Sequence, residues 1–193
     1  MVAPREPLFS SSLLLDQIEV MRELYGDADV DGAIEALPPE IKTEIAELTT
    51  GGWCKVATSA ALKKELARRL GTGALALQRR VVERGTEKSL HGAWRFFLTR
   101  LSDAWLMKFS PLVYSKAFDY GSLVVERIAP GRADVVVRGW PEMPDFDCVG
   151  IAAAIETILT LARRDRPKLT WTRWSGEIHF AAVWGKEAVV RAR

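Results

Sequence analysis

Histidine and cysteine are scarce in this sequence, with two of each among 193 residues. Cys54 and Cys148 show neither the C-x-x-C spacing of a metal site nor the density of a secreted disulfide scaffold. We therefore predict that both are reduced and buried. Because His91 and His179 are the only histidines and no carboxylate-histidine spacing occurs on one helix, a zinc or di-iron site is not predicted.

An excess of charge of one sign is also absent. Lys and Arg total 27 against 25 Asp and Glu, so no strong field attracts a polyanion and nucleic acid is not an expected partner. Long hydrophobic runs are missing too. The N-terminal apolar run of Leu13, Leu14 and Leu15 ends at Asp16, which is too short for a signal peptide or a membrane span. We expect a cytoplasmic protein with no membrane span.

Signatures of several enzyme classes are missing. The G-x-G at Gly71-Thr72-Gly73 lacks the preceding strand of a dinucleotide-binding turn, and is predicted to link two helices. The sequence contains no P-loop and no G-x-S-x-G motif. No pair of titratable groups stands at a recognisable catalytic spacing. We therefore expect no enzyme activity and no catalytic residue.

The pattern that is present changes midway along the chain. Up to about residue 118, apolar residues recur at helical spacing. This part is predicted to be helical. Helix starts are indicated at Ser10 to Ser12, Pro38-Pro39, Thr58-Ser59 and Thr86, and helix ends at Gly26, Gly71 and Gly85.

The C-terminal part predicts two hairpins separated by a helix. Pro130-Gly131 lies between two β-branched runs, and Ser175-Gly176 lies between two further runs. The fold class is therefore predicted as α+β, with a helical half over residues 1–118 and a four-stranded antiparallel sheet of β-β-α-β-β order over residues 119–193, forming a single domain. The helix between the hairpins begins at about Gly150, with an apolar stripe at Ile151, Ile155, Ile158, Leu159 and Ala162.

The stretch EKSLHGAWRFF, residues 87–97, places His91 among aromatic residues. On a helical wheel His91 lies at the flank of an apolar sector, which predicts a half-exposed side chain with a local hydrogen bond and not an axial haem ligand. His179 points to the strand face of Glu177, which predicts a solvent-facing side chain. No cofactor is predicted. The apolar sector comprises Leu90, Trp94, Phe97, Leu98, Leu101 and Trp105, and Trp94, Trp105, Trp171 and Trp184 are expected to face inward.

Each of the two cysteines is a candidate reactive group. Cys148 lies at the entrance of the last helix, where a helix N-terminus lowers a thiol pKa. Asp145 and Asp147 oppose that effect and are predicted to cap the helix, which favours a structural cysteine. Cys54 has Lys55 as its neighbour, which gives only weak support for reactivity.

Several segments occur in a recognisable order: LFSSSLLLDQIEVMRELYG, LPPEIKTEIAEL, GGWCKVAT, LQRRVVERGTEKSLHGAWRFFLTRLSDAWLMKFSPLVYSKAFDYGSLVV and RGWPEMPDFDCVGIAAAIETIL. Together they resemble a family of myxobacterial paralogues of unknown function, over most of the chain. That family is similar in layout to a superfamily containing haem nitric-oxide-binding domains, 4-vinyl-reductase domains and TRAPP vesicle-tethering subunits. The resemblance implies helices, a four-stranded antiparallel sheet with a crossover helix and an apolar cavity, but no single activity.

The sequence also departs from each branch of that superfamily. The Tyr-x-Ser-x-Arg triplet of the haem-binding branch has no counterpart in VVVRGWPEMPDFDC, and His91 lies farther from the segment Pro111 to Tyr114 than the branch's axial histidine. The paired cysteines of the vinyl-reductase branch are absent near the final strands. Cys54 is a cysteine in the helical half, but no motif transfers to it the acyl-accepting role of the TRAPP branch.

Two functions fit these observations. The first is a non-catalytic sensory or scaffolding domain that acts through protein contacts with a partner or as a homodimer, and this one is favoured over a haem gas sensor. The alternative is a small-molecule-binding domain with an apolar aromatic pocket for a lipid or tetrapyrrole. The residues predicted to line such a pocket are His91, Trp94, Trp105, Tyr114, Lys116, Tyr120 and Arg138.

Overall fold

The computed structural model describes residues 5–185, which separate into two compact units. Unit 1 comprises Met1–Val81 and Lys116–Tyr120, and unit 2 comprises Val82–Ser115 and Gly121–Arg193. The helices between residues 82 and 115 therefore belong with the sheet. The prediction of a single domain over residues 1–193 stays a prediction. Residues 1–4 and 186–193 lie outside the described residues.

Unit 1 is mainly helical, as predicted. Ser10 caps the first helix, where its hydroxyl oxygen accepts a hydrogen bond from the Leu13 backbone N–H, and that helix ends before Gly26. Gly71 and Gly73 lie in the link between two helices, as predicted. The elements are β1 (Leu8–Ser10), α1 (Ser11–Tyr25), α2 (Asp27–Glu35), α3 (Pro39–Ala46), β2 (Trp53–Lys55), α4 (Val56–Arg69) and α5 (Ala74–Ser89), whose second half lies in unit 2.

The pairing of β1 with β2 was not predicted. Each strand has only three residues, which is too short for an alternating pattern to show in the sequence. Phe9 of β1 also bridges to Phe118, and the two rings lie 5.4 Å apart. The Leu8 backbone N–H donates to Asp119 Oδ1 at 2.8 Å, so these contacts join residues 116–120 to unit 1.

Unit 2 contains the predicted antiparallel sheet. Its strands run in the order β3-β4-β6-β5, which confirms the α+β class and the β-β-α-β-β order. The two-residue turn between β5 and β6 has positive φ at both Ser175 (53°) and Gly176 (75°). Such a turn matches the right-handed twist of the two strands that it joins. The elements of unit 2 are α6 (Ala93–Leu98), α7 (Asp103–Ala117), β3 (Ser122–Ala129), β4 (Arg132–Arg138), α8 (Asp145–Leu161), β5 (Lys168–Trp174) and β6 (Glu177–Val183).

Helix α8 packs on the sheet through contacts with β5. It begins at Asp145, five residues before the predicted start, because Pro144 occupies the N-cap and its fixed φ suits a helix entry. Asp145 and Asp147 lie in the first turn, and Pro144 occupies the N-cap, so the prediction that the aspartates occupy the N-cap position is wrong. At the sheet edge the Leu169 backbone N–H donates to Glu156 Oε1 of α8 at 2.6 Å.

The expectation of a single long helix around His91 is wrong. Helix α5 continues through Gly85 and Thr86 to Ser89, and the chain then turns at Gly92, whose φ of 63° is outside the right-handed helical region. A second break over residues 99–102 separates α6 from α7. Three helices therefore replace one. A helical wheel over residues 90–105 does not predict which side chains of these helices are buried.

The sheet core generates a stability prediction. Phe180 is 1 % exposed, and its ring centroid lies 6.4 Å from that of Trp171 on the neighbouring strand. We expect Phe180→Ala to lower the free energy of unfolding by about 3–5 kcal/mol, because it removes a buried ring and leaves a cavity. Thr172→Ala on the exposed face of β5 should cost less than about 1 kcal/mol. Urea unfolding followed by circular dichroism measures both, and equal losses would contradict the assignment of the core face.

Candidate ligand-binding surface

Helix α7 carries apolar side chains on two opposite sides. Leu106, Met107 and Tyr114 are buried on one side. At helical spacing, residues 105, 109 and 112 fall on the other side, with residue 113 beside them. The exposed apolar side chains of α7 are Trp105, Phe109, Leu112 and Val113.

Helix α6 adds further exposed aromatic side chains. The rings of Trp94 and Phe97 meet edge to face with centroids 6.2 Å apart, and Phe96 is also exposed. Exposed large apolar side chains concentrated in one stretch of the chain mark a candidate binding site. We call these side chains the aromatic surface: Trp94, Phe96 and Phe97 of α6, with Trp105, Phe109, Leu112 and Val113 of α7.

The expectation that Trp94 and Trp105 face inward is wrong, since they are 61 % and 57 % exposed. The expectation holds for Trp184, which is buried, while Trp171 is half-buried. The physical reason is that α5, α6 and α7 are separate helices. The helical wheel that predicted the inward-facing residues assumed one continuous helix axis. Phe109, Leu112 and Val113 were not predicted as site residues, although apolar residues on both sides of α7 signalled a second contact face.

Two cations lie against rings of the aromatic surface. The Arg100 guanidinium carbon is 4.6 Å from the centroid of Phe96, and Lys108 Nζ is 5.7 Å from that of Trp105. A cation held over an exposed ring gains about 0.5–1 kcal/mol and keeps its N–H donors in water. The aromatic surface is therefore bordered by positive charge.

A carboxylate fixes the start of α7. Asp103 Oδ1 accepts a hydrogen bond from Arg164 Nε at 2.7 Å, and its Oδ2 accepts one from Trp184 Nε1 at 3.2 Å. Arg164 Nη2 also donates to the Leu101 carbonyl at 2.6 Å. One acidic residue thus joins the first turn of α7 to residues that follow α8 and β6, and none of these partners was predicted from the sequence.

Pro111 interrupts the hydrogen bonding of α7 without ending the helix. Proline has no N–H, so the Met107 carbonyl loses its helical donor. The Ser110 hydroxyl donates to that carbonyl at 2.6 Å and replaces the missing bond. The apolar face can therefore continue past the proline to Leu112 and Val113.

The predicted pocket residues are distributed over both units. His91 is exposed in the turn between α5 and α6, and its Nδ1 hydrogen-bonds the Lys88 carbonyl, which is the local bond expected from the sequence. Lys116 and Tyr120 belong to unit 1. Arg138 lies at the end of β4 and forms ion pairs with Glu126 at 2.5 Å and Glu177 at 3.0 Å.

Tyr114 is buried on the inner side of α7, where burial, together with Asp147 and Cys148, raises the pKa of its hydroxyl. The hydroxyl oxygen would lie 3.1 Å from a Cβ placed on Gly121, so a side chain at that position would be crowded. Tyr114 therefore supports α7 from beneath and stays protonated at neutral pH.

Both cysteines are free and buried, as predicted. Burial raises the pKa of the Cys148 thiol to about 11, although the Arg173 charge opposes the shift. Burial and the Glu44 charge likewise raise the pKa of the Cys54 thiol to about 11. Neither thiol is poised for nucleophilic chemistry at neutral pH.

Metal ligands do not cluster over residues 5–185, where no group of three or more His, Cys, Asp and Glu side chains could hold an ion. His179 is half-buried, and its Nε2 lies 3.5 Å from Glu177 Oε2, on the strand face that was predicted for it. Over the same residues, no helix combines the length and the apolar character needed to cross a bilayer.

Solved structures share this fold. An iron(II) unliganded H-NOX protein from K. algicida matches with a TM-score of 0.69 and 12% identity, over 92% of this chain and 97% of that one. An oxygen-binding H-NOX domain related to soluble guanylate cyclases, in its oxygen complex, matches with a TM-score of 0.62 and 12% identity, over 92% and 95% of the two chains. A structure from work on haem redox potential and porphyrin distortion matches with a TM-score of 0.62 and 13% identity, over 92% and 95%. No family model and no curated protein matches.

These matches correct the functional expectation from the sequence. The first choice was a domain that acts through protein contacts, with a haem gas sensor disfavoured. That expectation is contradicted, because the similar structures are H-NOX domains, described as iron-containing, oxygen-binding or concerned with haem. The distant similarity of fold to the H-NOX superfamily, which the resemblance implied, is confirmed.

The Asp103 contacts generate a second stability prediction. Asp103→Asn removes the negative charge that two donors share, and we expect the free energy of unfolding to fall by about 1–3 kcal/mol. Asp165→Asn is the matched control, since its carboxylate is 70% exposed and lies 3.8 Å from Arg166. The control should change stability by less than about 0.5 kcal/mol. Urea unfolding compares the two variants, and equal midpoints would show that Asp103 does not hold the start of α7.

The buried thiols generate a prediction on pH. Their folded pKa values of about 11 exceed the unfolded value of about 8.5, so the stability from the protonated thiols is complete below pH 8.5 and is lost as pH rises toward 11. We expect the urea midpoint to fall between pH 8.5 and pH 10.5, and Cys148→Ser to reduce that fall. In native buffer at pH 8 both thiols should react slowly with a disulfide reagent and rapidly after unfolding. Fast labelling of the folded protein would contradict the raised pKa values.

Proposed function

We propose that this chain is a small-molecule sensor domain that binds a planar tetrapyrrole of the haem class on the aromatic surface. The observation that carries the proposal is the outward exposure of the aromatic side chains of α6 and α7. The fold shared with H-NOX domains supports the choice of ligand, since similar structures are described as iron-containing or concerned with haem. The binding step requires no catalytic group.

A flat ligand suits these side chains. Trp94 and Phe97 form one edge-to-face pair, and Trp105 and Phe109 form another, with centroids 6.1 Å apart and planes tilted by 33°. Ring faces that remain in water gain free energy when a planar aromatic body stacks on them, both from burial of apolar area and from ring contacts. A macrocycle offers a large apolar area with few polar atoms to desolvate, which supports a tetrapyrrole over a small polar ligand.

An iron-bearing macrocycle would find a donor in His91. A haem needs few protein ligands, because the macrocycle itself supplies four nitrogens, so the absence of a three-ligand cluster over residues 5–185 does not bear on it. The partner of His91 Nδ1 is the Lys88 carbonyl, which can only accept a hydrogen bond. Nδ1 therefore donates in this bond, which leaves Nε2 as the ring nitrogen that would hold a metal.

The haem group would supply gas-binding chemistry when bound, and this chain's own residues would hold it. Of the two histidines, His91 lies in the turn that leads into α6, so it is the residue that we propose would hold the iron. Asp103 and its two donors keep the first turn of α7 in place, which presents the rings of Trp105 and Phe109 in a fixed orientation. A preordered aromatic surface loses little entropy on binding.

We also propose the finer assignments that the resemblance implies. The quoted segments, which run over most of the chain, support membership of the myxobacterial paralogous family and a relation to 4-vinyl-reductase domains. A role in signalling within the cytoplasm fits a sensor domain, and we propose in addition that the chain forms a homodimer.

Haem titration tests the proposed function. Haem should bind with a Soret band and quench tryptophan emission, and Trp105→Ala should weaken binding about threefold to tenfold through loss of a stacking ring. Trp174→Ala is the matched control, because Trp174 is 71% exposed but lies on β5. We expect the control to bind haem as the unchanged chain does.

The same titration separates the macrocycle from its iron. His91→Ala should shift the Soret band and leave the affinity for metal-free protoporphyrin IX unchanged. An unchanged Soret band would show that His91 does not hold the iron. A failure of both haem and protoporphyrin IX to bind, in protein whose circular dichroism shows it folded, would refute the proposed function.

A further inference from the structure

The exposed side of α7 is apolar over more than two helical turns. The rings of Trp105 and Phe109 lie 6.1 Å apart, and Leu112 and Val113 continue the same side of the helix toward its C-terminal end. We propose that this side of α7 docks on the surface of a lipid bilayer that contains anionic lipids. The inference goes beyond the proposed function and does not rest on it.

The charge on the exposed side of α7 is positive. Lys108 is exposed, and its Nζ lies 5.7 Å from the centroid of the Trp105 ring. The other charged residue of α7 within unit 2 is Asp103, whose carboxylate already accepts hydrogen bonds from Arg164 and Trp184. A lysine can lay its alkyl chain along an apolar surface and keep its ammonium group in water. Anionic headgroups would therefore meet a cation directly beside the rings.

The length of α7 determines how it can meet a bilayer. The helix has 15 residues and is therefore about 22 Å long, which is less than the hydrocarbon core of about 30 Å. Its opposite side is occupied, because Leu106, Met107 and Tyr114 are buried within the protein. The helix can therefore lie along the membrane surface with one side in contact with lipid, at the depth where tryptophan is enriched.

The exposed side of α7 fits a bilayer better than it fits a second copy of the chain. Its four apolar side chains expose roughly 400 Å² in total, whereas a stable dimer buries about 800 Å² on each partner. In a two-fold symmetric contact, each Lys108 would also face a side of α7 with the same positive charge. The outside of one helix is convex, so it offers no groove to a peptide. A bilayer requires neither a groove nor a matched shape.

Sedimentation with lipid vesicles tests the contribution of charge. The chain should bind vesicles of phosphatidylcholine mixed with phosphatidylglycerol more tightly than vesicles of phosphatidylcholine alone. Lys108→Gln should weaken binding to the anionic vesicles about fivefold, as expected for one lysine at an anionic surface, and leave binding to the neutral vesicles unchanged. Lys168→Gln is the matched control, because this exposed cation lies on β5. The control should bind both kinds of vesicle as the unchanged chain does.

A double variant tests the apolar contribution. Phe109→Ser/Leu112→Ser should weaken binding to both kinds of vesicle about tenfold or more, because it removes apolar area that would enter the membrane. Trp174→Ser/Leu75→Ser is the matched control, since these exposed side chains belong to β5 and α5. Circular dichroism shows whether each variant is folded, and the control should bind vesicles as the unchanged chain does.

Lipids that carry bromine on their acyl chains test the contact directly, because bromine quenches tryptophan emission only at short range. Vesicles of such lipids should quench the emission of the unchanged chain. Trp105→Phe should lose part of that quenching and keep its vesicle affinity within about twofold, since phenylalanine preserves an apolar ring. Quenching equal to that of the unchanged chain would show that Trp105 does not contact lipid.

The outcomes distinguish this inference from the proposed function, because the vesicles are tested without added tetrapyrrole. Absence of binding to either kind of vesicle would overturn the inference and leave the proposed function standing. Full vesicle affinity in folded Phe109→Ser/Leu112→Ser would also overturn it. A dimer in analytical ultracentrifugation that this double variant abolishes would show that a second copy covers α7 instead. Failure of haem and protoporphyrin IX to bind bears on the proposed function alone.

Discussion

A helix in a small protein buries one side, and α7 has apolar side chains on two. Leu106, Met107 and Tyr114 take up the buried side, so Trp105 and Phe109 must remain in water unless another molecule covers them. This constraint is set by the sequence of α7 and does not depend on any particular ligand. The Asp103 carboxylate holds the first turn of α7 in place through hydrogen bonds from Arg164 and Trp184, so the exposed side of the helix keeps its orientation. The exposed aromatic side is therefore a built feature of unit 2.

The sheet of unit 2 could be predicted from the sequence, because its signals are local. The pairs Pro130-Gly131 and Ser175-Gly176 each mark a turn between β-branched runs, and both hairpins form there. His179 and Ile178 fall on opposite faces, as strand alternation requires. The breaks around α6 could not be predicted in the same way. Glycine is typical of helix ends, yet Gly85 lies within α5. The chain instead turns at Gly92, which has a positive φ, and the sequence alone does not show which glycine adopts that conformation.

The binding surface was only partly visible in the sequence. The sequence shows its aromatic residues, but a helical wheel that assumes one helix predicts that Trp94 and Trp105 face inward. The contacts of Asp103 with Arg164 and Trp184 join residues 61 and 81 positions apart in the sequence. No local pattern reports such a separation. The absence of Tyr-x-Ser-x-Arg weighs against haem at the level of a motif, whereas the similar solved structures share the fold of this chain at 12% identity.

The hydrogen bond from the Leu169 amide to Glu156 has a consequence for how copies of the chain meet. β5 is a terminal strand of its sheet, and an outward amide on such a strand is a template for pairing with a second chain. Here the carboxylate of α8 occupies that donor at 2.6 Å. A neighbouring strand would have to displace this charged acceptor before it could bond to the Leu169 amide. A single glutamate thereby opposes the pairing of a further strand at this position of the edge.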